Sequence, residues 1–121
     1  MRQGVDTITW FRILDALPLP NYGESNQSGL YELGGRVKPA ARAFRFPFVV
    51  ERASKRSLRA WGRSPVAGRV RIERLRGGRW RRVRSIAAQR HGTFALRIPA
   101  VAGRDRLRAR IGAEISLTWR R

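Results

Sequence analysis

From Arg106 to Ile111 the chain alternates strictly, with Arg106, Arg108 and Arg110 on one parity and Leu107, Ala109 and Ile111 on the other. A β-strand sends successive side chains to opposite faces, so this pattern predicts a strand with one buried and one solvated side. A helix would scatter both sets around its circumference. Gly112-Ala113 then reads as a tight turn into a strand carrying Ile115, Leu117 and Trp119 on one face.

The same grammar runs through residues 49–121. Leu58 to Trp61 forms a strand. Val70 and Ile72 alternate with arginines, and Gly77-Gly78 turns the chain before Trp80. Phe94, Leu96 and Ile98 share a face. Between Arg81 and Ile86 the parity breaks, which predicts a bulge. Roughly six short strands at 8–12-residue spacing describe a sandwich or a barrel. Trp80 and Trp119 are read as core residues, and Trp61 is left open.

Residues 1–48 follow another pattern. Gln3 to Pro18 carries Val5, Ile8, Trp10, Phe11, Ile13 and Leu14 with no polar face, as in a strand covered on both sides within a parallel sheet. Pro18 and Pro20 end it, and "NYGESNQSG" is a loop. "LYELGGRV" predicts a small hairpin at Gly34-Gly35. "KPAARAFRFP" predicts a helix, with Pro39 in its first turn and a stop near Arg45 before Pro47.

Charge divides the chain at the same place. Residues 1–48 hold six basic and four acidic side chains, and residues 49–121 hold twenty-one and four. The net charge of +19 suits a polyanion such as nucleic acid, because bound cations release counterions. Yet 25 of the 27 basic residues are arginine, a bias that a GC-rich genome produces whatever the protein does. Arginines on the outward positions of half-buried strands also discourage edge-to-edge aggregation. These points argue against a nucleic-acid partner, although a continuous strip of Arg71, Arg81, Arg106, Arg108 and Arg110 interleaved with an exposed Trp61 would favour one.

Catalytic side chains are sparse. His91 is the only histidine and stands in a turn, and cysteine is absent, so neither a triad nor a histidine or thiolate metal site is expected. No phosphate-binding loop is present, and no cofactor is implied. Of the acidic residues of the first half, Asp6 and Asp15 flank the strand, Glu24 sits in the loop and Glu32 precedes the hairpin turn, so any acid/base pair among them would need a scaffold to fix it. No apolar run approaches the ~18 residues of a membrane span, so no membrane partner is expected, and nothing near Met1 resembles a signal peptide.

One order of residues is distinctive. Trp10, Ser28-Gly29-Leu30-Tyr31, Gly34-Gly35 and Lys38-Pro39-Ala40, in that sequence, resemble the C-terminal end of a (β/α)8-barrel glycoside hydrolase. The likeness is to the clan holding the cellulase-like family 5 and the β-xylosidase-like family 39. It covers roughly residues 3–48, under half of the chain. It implies that residues 1–48 are the last strand, loop and helix of a barrel, with carbohydrate as the partner. Trp10 would be a stacking platform against a pyranose face, and Tyr22 a weaker candidate for lining the sugar site. Without the resemblance, Trp10 reads as a buried core aromatic. In that clan the acid/base ends the fourth strand and the nucleophile the seventh, and neither maps onto this chain. More loosely, residues 49–121 resemble the immunoglobulin-like modules that follow secreted bacterial barrels. The expectation is therefore a mainly β chain: an antiparallel immunoglobulin-like sandwich preceded by a strand-loop-helix remnant of a barrel. Such a chain would be an inactive fragment of a glycosidase, from a truncated gene or a mis-assigned start. A different class remains open, an independent cationic module for nucleic acid or an acidic polysaccharide.

Overall fold

The computed structural model describes residues 12–21, 23, 25–100 and 106–120. Among them are one short helix, α1 (Pro39–Arg45), and eight strands. These are β1 (Phe48–Arg52), β2 (Ser57–Arg63), β3 (Gly68–Arg76), β4 (Arg79–Ala88), β5 (Thr93–Pro99), β6 (Arg106–Ile111), β7 (Glu114–Ile115) and β8 (Trp119–Arg120). The protein is mainly β, and every pairing between these strands is antiparallel. The chain divides into two units, Met1–Ala41 and Arg42–Arg121, so α1 straddles the division. The charge boundary near Phe48 falls inside the second unit, at the first residue of β1.

In the second unit β1, β2 and β5 form one sheet in that order, and β4, β3, β6 and β7 form another, with β8 also pairing β6. Alternation decides which face each sheet buries. Val50, Leu58, Ala60, Phe94 and Ile98 point inward from the first sheet, and Val70, Ile72, Leu107, Ala109 and Ile111 from the second. These ten and Phe46 make a single apolar cluster, so the two sheets share one core, an arrangement consistent with a β-sandwich. Phe46 meets Phe94 edge to face, with ring centroids 6.4 Å apart.

The expected bulge falls at Val83. The β3–β4 register shifts between Ile72↔Arg84 and Glu73↔Arg82, leaving Val83 as the extra residue. The shift turns Val83 against the core while Arg84 stays exposed. A second shift changes the reading of the C-terminal strand. Arg110 pairs Ile115, but Leu107 pairs Trp119, so one extra residue lies between them. Ser116, not Ile115 or Leu117, takes the inward position and is buried, its Oγ accepting from the Ala109 N–H at 2.9 Å. Ile115 and Leu117 face outward, against expectation, and Trp119 regains the core side.

The first unit is built from loops. Leu14 bridges Tyr31 in parallel, and Tyr31 bridges Val37 in antiparallel fashion across the Gly34-Gly35 turn. The expected two-face strand lies largely outside the described residues. Its described end leaves Ile13, Leu14 and Leu17 exposed, at 69%, 49% and 60%.

Candidate functional site

Two arrangements stand out, one in each unit. In the first, Asp15 is a buried carboxylate at the centre of a polar node. Its Oδ1 accepts from the Gly29 N–H at 3.0 Å and from Lys38 Nζ at 2.6 Å, and Lys38 also donates to the Gln27 carbonyl at 2.8 Å. Backbone bonds close the same node: Asp15 N–H to the Tyr31 carbonyl, and Lys38 N–H to the Leu30 carbonyl. A Cβ on Gly29 would stand 2.5 Å from the backbone of Leu14 and Asp15, so only glycine allows this approach. The node therefore needs an acid, a glycine and a lysine at these positions.

An open depression of about 470 Å³ lies beside it, with Asp15, Gln27, Glu32, Arg36 and Lys38 in its walls. Each of its two carboxylates is already engaged. Asp15 is held by Lys38, and Glu32 pairs with Arg36 at 2.6 Å. The hydrogen bond to Glu32, with its charge, raises the Arg36 guanidinium above its ordinary value. Neither carboxylate stands free to act as a general acid or base.

Trp10 and Tyr22, the residues expected to face a sugar, lie outside the described residues, as do Asp6 and Glu24. His91 is exposed in the turn before β5 at φ 58°, a loop residue as expected. Among the described residues no group of three metal-ligating side chains comes together.

The second arrangement is the outward face of the β4-β3-β6 sheet. Residues directly opposite in a ladder share a face, so the register assigns them. Arg71 stands opposite both Ser85 and Arg110, Glu73 opposite both Arg82 and Arg108, Leu75 opposite Trp80, and Arg106 opposite Arg120. Arg69 joins the same side. Glu73 is the one carboxylate of this face among the described residues. Its Oε2 accepts from Arg108 Nε at 2.7 Å, and the Arg108 guanidinium lies 4.1 Å from the Trp80 ring centroid. Trp80 thus belongs to the outer face and covers a cation, where the sequence placed it in the core.

The expected strip is only partly assembled. Arg71, Arg106, Arg108 and Arg110 share this face, but Arg81 stands opposite the inward-pointing, buried Arg74. Trp61 is exposed on the other sheet, beside Val49, Glu51 and Arg59. Glu73, Arg82 and Arg120 were not singled out by sequence. The parity of Glu73 with Arg71 was a readable signal, whereas Arg82 and Arg120 are placed by the two register shifts. No family model, curated protein or solved structure matches this chain.

Proposed function

We propose that this chain is the C-terminal part of a (β/α)8-barrel glycoside hydrolase, joined to a non-catalytic immunoglobulin-like sandwich and inactive by itself. The observation that carries the reading is the Asp15 node. Three of the segments that resemble the end of such a barrel, Ser28-Gly29-Leu30-Tyr31, Gly34-Gly35 and Lys38-Pro39-Ala40, are physically assembled around Asp15, at the end of the segment read from sequence as the last barrel strand. Asp15 binds the first through Gly29 and the third through Lys38, while Tyr31 pairs with Val37 across the second. Residues that resemble a motif in order thus also form one structural unit. The exposure of Ile13, Leu14 and Leu17 supports the same reading, because a terminal barrel strand is covered by neighbouring strands and helices.

On this reading the role of the chain is structural support for sugar hydrolysis. Trp10 would form the floor of the sugar site and Tyr22 its wall, with the acid/base and nucleophile supplied by earlier barrel strands. The test is the DNA upstream of Met1 in the same frame. The expected result is an open frame continuing for the ~200 residues or more that a barrel requires, with a glutamate ending each of two strands. A stop codon and ribosome-binding site directly before Met1 would overturn the reading.

A further inference from the structure

The outer face of the second sheet carries a standing electrostatic cost. Arg71 is directly opposite Arg110, and Arg106 is directly opposite Arg120. Directly opposed side chains have Cβ atoms about 4.5–5.5 Å apart, and like charges there are destabilising. The first sheet has a comparable pair, Arg59 opposite Arg97, but Glu51 lies 3.8 Å from Arg59 and relieves it. Among the described residues no carboxylate relieves the two pairs of the second sheet. The Arg71–Arg110 row continues to Ser85 and Ile115, and the one carboxylate of the face is taken by Arg108. Among the described residues the side chains of Arg71, Arg106 and Arg120 make no hydrogen bond or ion pair, and Arg110 commits only its Nε, to the Gly112 carbonyl at 3.2 Å.

We infer that this face binds an acidic polysaccharide, with carboxylates of the chain seated between the paired arginines. The planar guanidinium fork matches a carboxylate in two parallel hydrogen bonds, and two forks facing each other can bracket one. Along β6 the pair Arg106/Arg120, the clamped Arg108 and the pair Arg110/Arg71 follow at steps of about 7 Å, a row suited to a repeating anion. Single-stranded nucleic acid is disfavoured because its binders need aromatic faces open for base stacking. The one aromatic of this face among the described residues, Trp80, is covered by Arg108. Nothing in this surface depends on the glycosidase reading, and each stands or falls separately.

The test titrates the whole chain by calorimetry with polygalacturonate, with neutral dextran of similar length, and with single- and double-stranded DNA oligonucleotides. Expected are binding of polygalacturonate but not dextran, weaker binding of both DNAs, and loss of affinity between about 50 and 200 mM NaCl. The double variants Arg71→Gln/Arg110→Gln and Arg106→Gln/Arg120→Gln should each bind about tenfold more weakly or worse. Both remove a repulsive pair, so thermal melting should show them folded. Arg59→Gln/Arg97→Gln, on the other sheet, should bind as the parent does. Absence of binding, equal weakening by the first-sheet variant, or tighter binding of either DNA would each overturn the assignment.

Discussion

Arg108 is held on two sides, its guanidinium 4.1 Å from the centroid of the Trp80 ring and its Nε 2.7 Å from Glu73 Oε2. The side chains of Arg108 and Glu73 are only 16% and 10% exposed, so either left alone would be a poorly solvated charge. Glu73→Gln should therefore destabilise the fold by about 2–3 kcal/mol. Trp80→Leu removes only the ring beneath the cation and should cost about 1 kcal/mol. The double variant Glu73→Gln/Arg108→Gln should lie closer to the parent than Glu73→Gln does. Urea denaturation of the four proteins measures this, and a Glu73→Gln midpoint equal to the parent's would refute it.

Gly62 sits on the inward side of β2, opposite Phe94. A Cβ built there would stand 2.4 Å from the Phe94 ring and 2.7 Å from the Pro47 carbonyl oxygen. Neither neighbour can yield cheaply, because Phe94 is packed in the core against Phe46 and the carbonyl is backbone. Gly62→Ala should cost about 1–3 kcal/mol through overpacking, although it adds one methyl group. The expected sign is a lower melting temperature, accompanied by a shift of the Phe94 ring resonances.

Where a structural feature depends on neighbours in sequence, the residues reveal it. The alternation at Arg106–Ile111 places Leu107 and Ala109 in the core, Gly77-Gly78 turns β3 into β4, and α1 ends at Arg45 before Pro47. Broken parity between Arg81 and Ile86 betrays the bulge at Val83. Features set by a shift in pairing escape. The extra residue between Ile115 and Trp119 inverts the face of Ile115 and Leu117, and nothing local marks it, since a strict alternation of apolar residues runs straight through. β1 is not legible in the sequence, because its Phe-Val-Val run sits where composition changes and only its pairing with β2 identifies it. The Asp15–Lys38 pair spans 23 residues, so each residue by itself reads as an ordinary surface charge.

That pair is open to direct test. Its side chains are 6% and 22% exposed, and Asp15 also holds the Gly29 N–H. Lys38→Met would leave a buried carboxylate without its cation, a loss of about 3 kcal/mol in local stability. Hydrogen exchange should then speed up at Gly29 and Tyr31, whose amides donate to Asp15 Oδ1 and to the Ile13 carbonyl. Adding Asp15→Asn should restore part of the protection, because the amide keeps an acceptor for Gly29 without the buried charge. Unchanged exchange at both amides in Lys38→Met would show that the ion pair does not hold this unit.

Arg45, in the final turn of α1, donates from Nε to Glu114 Oε2 at 3.0 Å, and its other arm reaches Oε1. This hydrogen bonding holds the Glu114 carboxyl below its ordinary range, with partial burial opposing and the charge of Arg45 adding to the effect. A carboxylate with a lowered value in the folded protein contributes stability above its unfolded value, about 4.3, and loses it as pH falls through the folded value. Arg45 is 62% exposed, so screening limits the contribution to below about 1 kcal/mol. The difference in stability between the parent and Glu114→Gln should therefore be level from neutral pH to about 5 and shrink below it. Urea midpoints for both proteins across that range measure the effect. A difference that instead grew on acidification would mean that Glu114 is stabilised as the neutral acid.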